Sequence, residues 1–534
     1  MELVFRQLDE LPRLSWCAEV KRNRTWVEVL HGAAVETTAT WFCEGAWDGP
    51  YSGGAFDSAL LMGSGGKLTQ QGLLLATPNH TLERLYVMTA GNSVLASNSL
   101  PFLLARAQDD LDPHCLTYAE RLTSIVEGLN WYIRTLPTRD GRRVGLVYHA
   151  NVIVTPDLQI VERPKAPTRE FKDYADYTNF LQGTLAAILR NAADPARRHS
   201  YAPIATISTG YDSPATALLA KRAGCTEGLS FRLARPRPGV PGVAEDSGEQ
   251  IAACLEMKLT CFNRLDYLHD PSADAENEGY PLVFAAWRDK LEGRLLVTGY
   301  YGDRVWDRYP MRVGSDIPRG GGACFSEFRL RTGYLHVPVP YLGCTSLASI
   351  NRISNSAEMR PWTLMRAYDR PIPRRLLEEA GVPRHAFGMA KKAVEIVVKI
   401  EGTQVLRPDS LADFAEFCDR YWGPWMALKD RALDVARFVQ KHNKRLNAKL
   451  TTSIKINFGA TVRLPSLLPA WIRRLCYGPV GRDHLLFHWS VSKLLPRYQA
   501  ACRIAPVSAG ETAGPAVAAP IGQPFPELGP SAAR

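Results

Sequence analysis

The chain has 534 residues, of which 46% are hydrophobic and 22% charged, and its formal net charge is +10. This length suffices for two or three domains, and the composition is ordinary for a globular protein. No run of about 18 apolar residues occurs, so no membrane-spanning helix is predicted. The N-terminus lacks the apolar core of a signal peptide, and the 11 cysteines form no CxxC pair. We therefore expect reduced thiols and a cytoplasmic location.

Residues 1–170 are predicted to form a β-rich domain. Short apolar segments such as RTWVEVL, LLLATP, RLYVMTA and VGLVYHANVIV alternate there with turns of Gly, Asn, Asp and Pro. This spacing of apolar runs and turn residues is typical of strands joined by short connections.

Over residues 171–420 the pattern changes to strands that alternate with helices. The first helix is DYTNFLQGTLAAILRNAA, and another is expected to begin near Glu245. The predicted strands are residues 203–207 and the segments EGLSFRL, LTCFNRLDY and GRLLVTGYYGD. Strands that alternate with helices predict a parallel sheet with right-handed crossovers, and hence an α/β domain.

The C-terminal part is predicted to be a basic helical region over 421–504 and a disordered tail over 505–534. Between Arg420 and Arg474 there are twelve Lys or Arg residues and two acidic residues. A solvated helical face is the simpler interpretation, and an acidic lipid surface or another anionic partner is the alternative. No nucleic-acid-binding signature accompanies the charge, so nucleic acid is not predicted as a partner. The tail is rich in Ala, Pro and Gly.

The stretch Ile207–Ala220, ISTGYDSPATALLA, places a small polar turn between a strand and a helix. Such a turn attracts anions, because unpaired N–H groups and the helix dipole point at it. Ser208 and Ser213 can donate hydroxyl groups to phosphate, and Gly210 allows a close backbone approach. Asp212 is the kind of ligand that Mg²⁺ prefers. The chain has no GxxxxGK[ST] phosphate loop.

This turn resembles the SGGxDS pyrophosphate loop of the ATP pyrophosphatases, which have a PP-loop, HUP-like fold and cleave ATP between the α and β phosphates. The resemblance implies ATP and Mg²⁺ as cofactors, with Asp212 as a metal ligand and a nucleotide-binding set of Ser208, Thr209, Gly210, Asp212 and Ser213. Thr209 stands where the family usually has glycine, and a positive φ there would strain a threonine. An Asp-capped helix after an ordinary strand is the alternative explanation.

A second turn, Thr298-Gly299-Tyr300-Tyr301-Gly302-Asp303, resembles the SGEGADE segment of asparagine synthetase, in which the aspartate matched by Asp303 is the second Mg²⁺ ligand. LSFRL and EDSGEQIAACLEM resemble the second strand and acidic helix start of that family. LYVMTAGNSVLASNSLPFLLA and TLPTRDGRRVGLVYHANVIV resemble its glutaminase domain. The resemblance implies an asparagine synthetase-like ATP pyrophosphatase domain over 171–420, preceded by a degenerate glutaminase-like (Ntn-like) domain over 1–170.

Two departures point to the β-lactam synthetase branch of this family. Asparagine synthetase takes ammonia from glutamine with a cysteine that follows Met1, whereas this chain has Glu2 there and its nearest cysteine is Cys17. Glutamine hydrolysis is therefore not expected. Tyr300 replaces a Glu of asparagine synthetase and matches a Tyr of the β-lactam synthetase branch, which handles the proton of an attacking amine with help from a Glu. Glu327 is a candidate for that partner, and a packing role is the alternative for Tyr300.

The family also uses a lysine near the end of this domain to stabilise charge on the adenylate and on pyrophosphate. The segment RHAFGMAKKAVEIV offers Lys391 and Lys392, and either one can be the match or a surface residue. Arg304 replaces the glutamate that usually follows the aspartate. It adds a positive charge that suits phosphate or marks a changed chemistry.

These observations predict an ATP-dependent amide- or lactam-forming ligase that adenylates a substrate carboxylate for attack by an amine. Its expected partner is a small molecule or peptide that bears a carboxylate and an amine; the oligomeric state is left open. One alternative is an ammonia-dependent asparagine synthetase. Another is a non-catalytic member that binds nucleotide or serves as an assembly partner. An RNA-thiolating enzyme shares the loop but usually brings paired cysteines, which this chain lacks.

Overall fold

The computed structural model describes residues 1–58, 60–236, 243–277, 282–310, 314, 316–317, 326–421 and 485–504. Most of the predicted basic region and the whole predicted tail lie outside these residues. Among the described helices, none is long and apolar enough to cross a bilayer. The structure confirms a mixed α/β architecture with a β-rich N-terminal region and a separate parallel sheet.

The N-terminal region forms a seven-stranded sheet of order β1-β3-β2-β9-β8-β11-β10 and a six-stranded sheet of order β13-β12-β7-β6-β5-β4. Pairing is antiparallel except between the first and third strands, which run parallel. The strands are β1 (Glu2–Gln7), β2 (Trp16–Lys21), β3 (Trp26–His31), β4 (Glu36–Thr37), β5 (Trp41–Trp47), β6 (Leu61–Thr69), β7 (Gly72–Ala76), β8 (Leu85–Ala90), β9 (Ser93–Ser97), β10 (Thr135–Pro137), β11 (Arg143–Val147), β12 (Ala150–Val154) and β13 (Ile160–Pro164).

The remaining strands form one parallel sheet of order β16-β15-β14-β17-β18. They are β14 (Ala202–Thr206), β15 (Glu227–Phe231), β16 (Lys258–Phe262), β17 (Arg294–Thr298) and β18 (Leu335–Pro338). After β16 the chain returns to the centre, so that β17 pairs with β14 on its other side. The point where the order reverses leaves a crevice at the carboxyl ends of β14 and β17, where ligands bind in open α/β sheets.

The helices cover both faces of the parallel sheet and one face of the seven-stranded sheet. They are α1 (Leu100–Arg106), α2 (Tyr118–Thr123), α3 (Tyr174–Ala192), α4 (Asp212–Arg222), α5 (Glu249–Cys254), α6 (Ala273–Glu276), α7 (Arg288–Leu291), α8 (Gly302–Val305), α9 (Ser326–Thr332), α10 (Leu347–Ser354), α11 (Pro371–Glu379), α12 (Val398–Glu401) and α13 (Leu486–Ile504).

The helix expected to begin near Glu245 begins at Glu249 instead. Gly248 has φ 65°, which lies outside the helical region, and a side chain there would meet Ser208 and Ile207. The residues before it therefore form a loop against the first polar turn. Because Asp246 lies in this loop, its carboxylate accepts hydrogen bonds from the N–H and the hydroxyl group of Thr209.

Helix α13 connects the C-terminal part of the chain to the N-terminal region. One face packs into the apolar cluster on the outer side of the seven-stranded sheet, where Phe487 stacks on Tyr118 and Tyr498 on Phe102. Tyr498 also donates a hydrogen bond of 2.8 Å to Glu327 Oε2. Helix α13 is thus an integral part of the core rather than a solvated appendage.

Tyr498→Phe is expected to lower the free energy of unfolding by about 1–3 kcal/mol, because a buried carboxylate then loses one donor. Chemical denaturation measures this change. The matched control is Tyr309→Phe at a tyrosine that is 60% exposed, for which a change within about 0.5 kcal/mol is expected. Equal effects of the two substitutions would contradict the assigned role of the hydroxyl group.

Candidate functional site

The first polar turn lies between β14 and α4 and packs against aromatic and charged side chains. Tyr211 is fully buried, and its hydroxyl group contacts the guanidinium of Arg374. Gly388 packs on the ring of Tyr211, where an added Cβ would lie 2.3 Å from Cζ. These contacts fix the turn, so that Asp212 becomes the first residue of α4.

Thr209 fits the turn without backbone strain. It is not among the residues with a positive φ, so the strain considered for a threonine at this position does not arise. Its N–H and Oγ1 lie 3.0 and 2.6 Å from Asp246 Oδ1, and its carbonyl oxygen accepts a 2.8 Å hydrogen bond from Gly388. The threonine side chain therefore links the turn to the loop before α5.

The second turn, Thr298–Asp303, lies directly against the first. An added Cβ at Gly299 would lie 2.3 Å from the Asp212 carbonyl carbon, and one at Gly302 would lie 2.4 Å from Asp212 Cγ. Tyr301 has φ 76° and stacks on Tyr341 with ring centroids 4.2 Å apart. A non-glycine residue in this region costs on the order of 1–3 kcal/mol, and stacking holds it there. The two glycines permit a close approach that a larger residue would prevent.

Two carboxylates meet at this point, each with a cationic neighbour. Asp212 Oδ2 contacts the buried guanidinium of Arg370, and Asp303 Oδ2 lies 3.4 Å from Lys391 Nζ. Burial raises the pKa of Asp212; the Arg370 charge opposes this shift, and the Asp303 charge adds to it. The two carboxylates and their cationic neighbours therefore form a cluster of opposite charges.

The donor set is compatible with Mg²⁺. Asp212 Oδ1 is buried and has no hydrogen-bond partner among the described residues, and Asp303 is 44% exposed at its side chain. No group of three or more His, Cys, Asp or Glu residues in the described part of the chain forms a complete metal cage. Mg²⁺ commonly binds through one or two carboxylates, with phosphate and water oxygens as its other ligands. The two aspartates match that requirement.

The two predicted lysines both lie at the site and face different groups. Lys391 lies beside Asp303. Lys392 Nζ donates a 2.6 Å hydrogen bond to Thr209 Oγ1 and also contacts the Glu245 carbonyl oxygen. One lysine therefore faces the carboxylate pair, and the other faces the polar turn.

A cavity of about 230 Å³ runs between the two turns and the end of β15. Part of its wall is aromatic, with Phe231 stacked on Trp287 at 4.6 Å. Other parts are polar and charged. Its lining includes the site residues Ser208, Gly210, Asp212, Ser213, Tyr300, Asp303, Lys391 and Lys392. A lining with both aromatic and cationic side chains suits a ligand with a planar ring and an anionic group.

The structure brings the predicted residues of the two turns and both lysines together, but it places Glu327 elsewhere. Glu327 is buried on α9 and accepts hydrogen bonds from Ser99 and Tyr498. It joins the N-terminal region to α13 rather than assisting Tyr300. Tyr300 lines the cavity, and its N–H lies 3.4 Å from Thr298 Oγ1.

Sequence reasoning missed Arg370, Arg374 and Asp246. The two arginines are four residues apart in DRPIPRRLL, where Arg370 is the N-cap of α11 and Arg374 lies in its first turn, and both are buried. The two prolines between them mark a helix start. That signal gives no indication of which loop the arginines contact.

No family model matches the chain, and no curated protein matches it either.

Gly299→Ala is expected to separate the two turns, because the new methyl group would meet backbone atoms of Asp212 that cannot move aside. We expect a loss of about 1–3 kcal/mol in the free energy of unfolding. Chemical denaturation measures this effect. Gly183→Ala in α3 is the matched control, since its added Cβ would meet nothing within 4 Å. Equal stabilities of the two variants would contradict the close contact.

Proposed function

We propose that the chain is an ATP-dependent carbon–nitrogen ligase of the asparagine synthetase-like ATP pyrophosphatase family, nearest to its β-lactam synthetase branch. The observation that carries this proposal is the placement of Asp212 and Asp303 just after the ends of neighbouring parallel strands, with three cationic side chains beside them. Within the described part of the chain, Asp212 Oδ1 has no hydrogen-bond partner. The strand order supports a PP-loop, HUP-like domain, in which the crevice at the reversal point holds the nucleotide.

In this proposal ATP lies in the cavity with its ring toward the aromatic wall and its phosphates on the first turn. Ser208, Gly210 and Ser213 donate to phosphate oxygens through hydroxyl and backbone N–H groups. Asp212 and Asp303 would hold Mg²⁺, which would neutralise charge on the phosphate chain.

The first reaction joins the substrate carboxylate to the α-phosphorus. A carboxylate oxygen attacks, the bond from the α-phosphorus to the bridging oxygen breaks, and pyrophosphate leaves. Arg370, Lys391 and Lys392 stabilise the negative charge that develops on these oxygens, because fixed cations near a site of charge development lower the barrier.

The second reaction forms the amide or lactam. An amine attacks the acyl carbon of the adenylate, the bond to AMP breaks, and the amine loses a proton. Tyr300 lies at the cavity and is the proposed residue that handles this proton. A phenol has an ordinary pKa near 10, so a nearby cation is needed for it to take up this role near neutral pH, and Lys391 and Lys392 line the same cavity.

Cys17 does not fit the role of a glutamine-hydrolysing nucleophile. It is buried in β2, and burial raises its pKa well above the ordinary value of a thiol. A nucleophilic cysteine requires the opposite shift. The amine is therefore proposed to come from the substrate, without hydrolysis of glutamine.

The test is the release of AMP and pyrophosphate by the full chain with Mg-ATP and a small-molecule extract of its own cells. Equal amounts of AMP and pyrophosphate are expected, and fractionation of the extract then identifies the substrate. Glutamate release from glutamine is expected to stay at background. Formation of ADP and phosphate instead of AMP would overturn the proposal.

The ion pair of Asp212 with Arg370 also favours a second candidate, a non-catalytic nucleotide-binding protein, because the arginine occupies one oxygen of the carboxylate. A Mg-ATP titration separates the two. Binding with no AMP from any extract fraction would favour the second candidate.

A further inference from the structure

A buried polar chain links the second turn to the N-terminal region. It starts at Thr298, the last residue of β17, whose Oγ1 lies 2.8 Å from His336 Nε2 on the neighbouring strand β18. The same oxygen accepts the Tyr300 N–H at 3.4 Å. His336 is 4% exposed, so water does not replace this hydrogen bond easily.

Arg329 continues the chain from β18 into the N-terminal sheets. It lies 3.5 Å from the carbonyl oxygen of Tyr334, two residues before His336. Its guanidinium is 2.7 Å from Glu44 Oε2 on β5 and also contacts Glu83. Burial, and then the Arg329 charge, lower the pKa of His336 to about 3, so the imidazole is neutral near pH 7.

The turn that this hydrogen bond holds needs such support. Tyr301 keeps a strained backbone conformation, and Gly299 and Gly302 pack directly on Asp212. A small shift of Thr298 would therefore change the distance between the two carboxylates. Groups that hold ligand-bearing segments in place typically change activity by about 10–100-fold when removed.

We propose that His336 is a positioning residue, which holds the turn Thr298–Asp303 against Asp212 through Thr298. The effect on catalysis rests on the proposed function, whereas the effect on the turn does not.

The first experiment measures hydrogen exchange of the backbone amides of residues 299–303 in the full chain. We expect at least about 10-fold faster exchange in His336→Leu and in Thr298→Val, which both remove the hydrogen bond, because local opening then costs less free energy. His336→Gln is expected to restore slow exchange, since its amide reaches the position of Nε2. His31→Leu, at an equally buried histidine of β3, is the control and should leave the turn unchanged.

Thr298→Val keeps the shape of the side chain and removes both hydrogen bonds of Oγ1, so unchanged exchange in this variant overturns the proposal even if His336→Leu does not fold. The double variant is expected to equal Thr298→Val, because that substitution already removes the hydrogen bond with His336. Unchanged exchange of residues 299–303 in the folded single variants would overturn the proposal.

The second experiment measures AMP formation by the same variants. A fall in kcat of about 10–100-fold with KM for ATP nearly unchanged, reversed in His336→Gln, is expected of a positioning role. Wild-type chain that forms no AMP would count against the proposed function alone, while hydrogen exchange still decides the role of His336. Normal AMP formation in His336→Leu would overturn the positioning role even where exchange is faster.

Discussion

Asp303→Asn is expected to reduce AMP formation by at least about 100-fold and to leave the free energy of unfolding within about 0.5 kcal/mol of the wild-type value. The side chain of Asp303 is 44% exposed, and the Lys391 side chain beside it is 53% exposed. Exposed ion pairs of this kind contribute little to stability. The charge of Asp303 is thus needed by the proposed metal site and hardly at all by the fold.

Asp212→Asn is the informative comparison. The same loss of AMP formation is expected, together with a loss of stability of up to about 3–5 kcal/mol, because Arg370 is buried and loses its anionic partner. Arg370→Met in the Asp212→Asn background removes the unpaired charge and is expected to recover stability without activity. The rate of AMP formation and the free energy of unfolding from denaturation curves are measured for both single variants and for the double variant. Wild-type activity in a folded Asp303→Asn chain would contradict the metal assignment.

Arg329→Met is expected to lower the free energy of unfolding by about 3–5 kcal/mol. Arg329 is 3% exposed at its side chain and pairs with Glu44 and Glu83, which are also buried. Without it, the two buried carboxylates lose the guanidinium that they share, and Arg84 remains as a cation near Glu83. The measurement is denaturation of the full chain in urea.

The loss in Arg329→Met is expected to depend on pH. Burial already raises the pKa of Glu83, and the Arg329 charge opposes that shift. Without the arginine the folded state binds protons more readily than the unfolded state, so stability falls as pH rises. The deficit should be larger at pH 8 than at pH 5. Arg139→Met, at an exposed ion pair, is the control, and an equally large loss there would contradict the argument.

The two polar turns could be predicted from the sequence because their signals are local. Each signal is a short apolar run followed by Gly, Ser or Asp, and each turn follows a strand in the structure. Which strands are neighbours is not a local property. The pairing of β14 with β17, which brings Asp212 and Asp303 together, depends on where the chain returns after β16.

The rest of the site depends on contacts between distant segments. Arg370 contacts a residue 158 positions away, and nothing around DRPIPRR indicates that partner. Asp246 has the sequence context of a helix start. The conformation of Gly248 and the hydrogen bonds from Thr209 place it in a loop instead. The sequence around Asp246 resembles a helix start, so it does not indicate that this residue lies in a loop.

Helix α13 has a consequence for the order in which the chain is made and folds. The apolar surface of the seven-stranded sheet is completed by Phe487, Val491, Leu495, Tyr498 and Ala501. The ribosome synthesises these residues only after every described strand has emerged. The apolar face of the seven-stranded sheet therefore stays exposed to solvent until the end of translation. Such surfaces attract chaperones and neighbouring nascent chains. Truncation before residue 486 should therefore send the product into inclusion bodies, even though it retains every residue of the two polar turns.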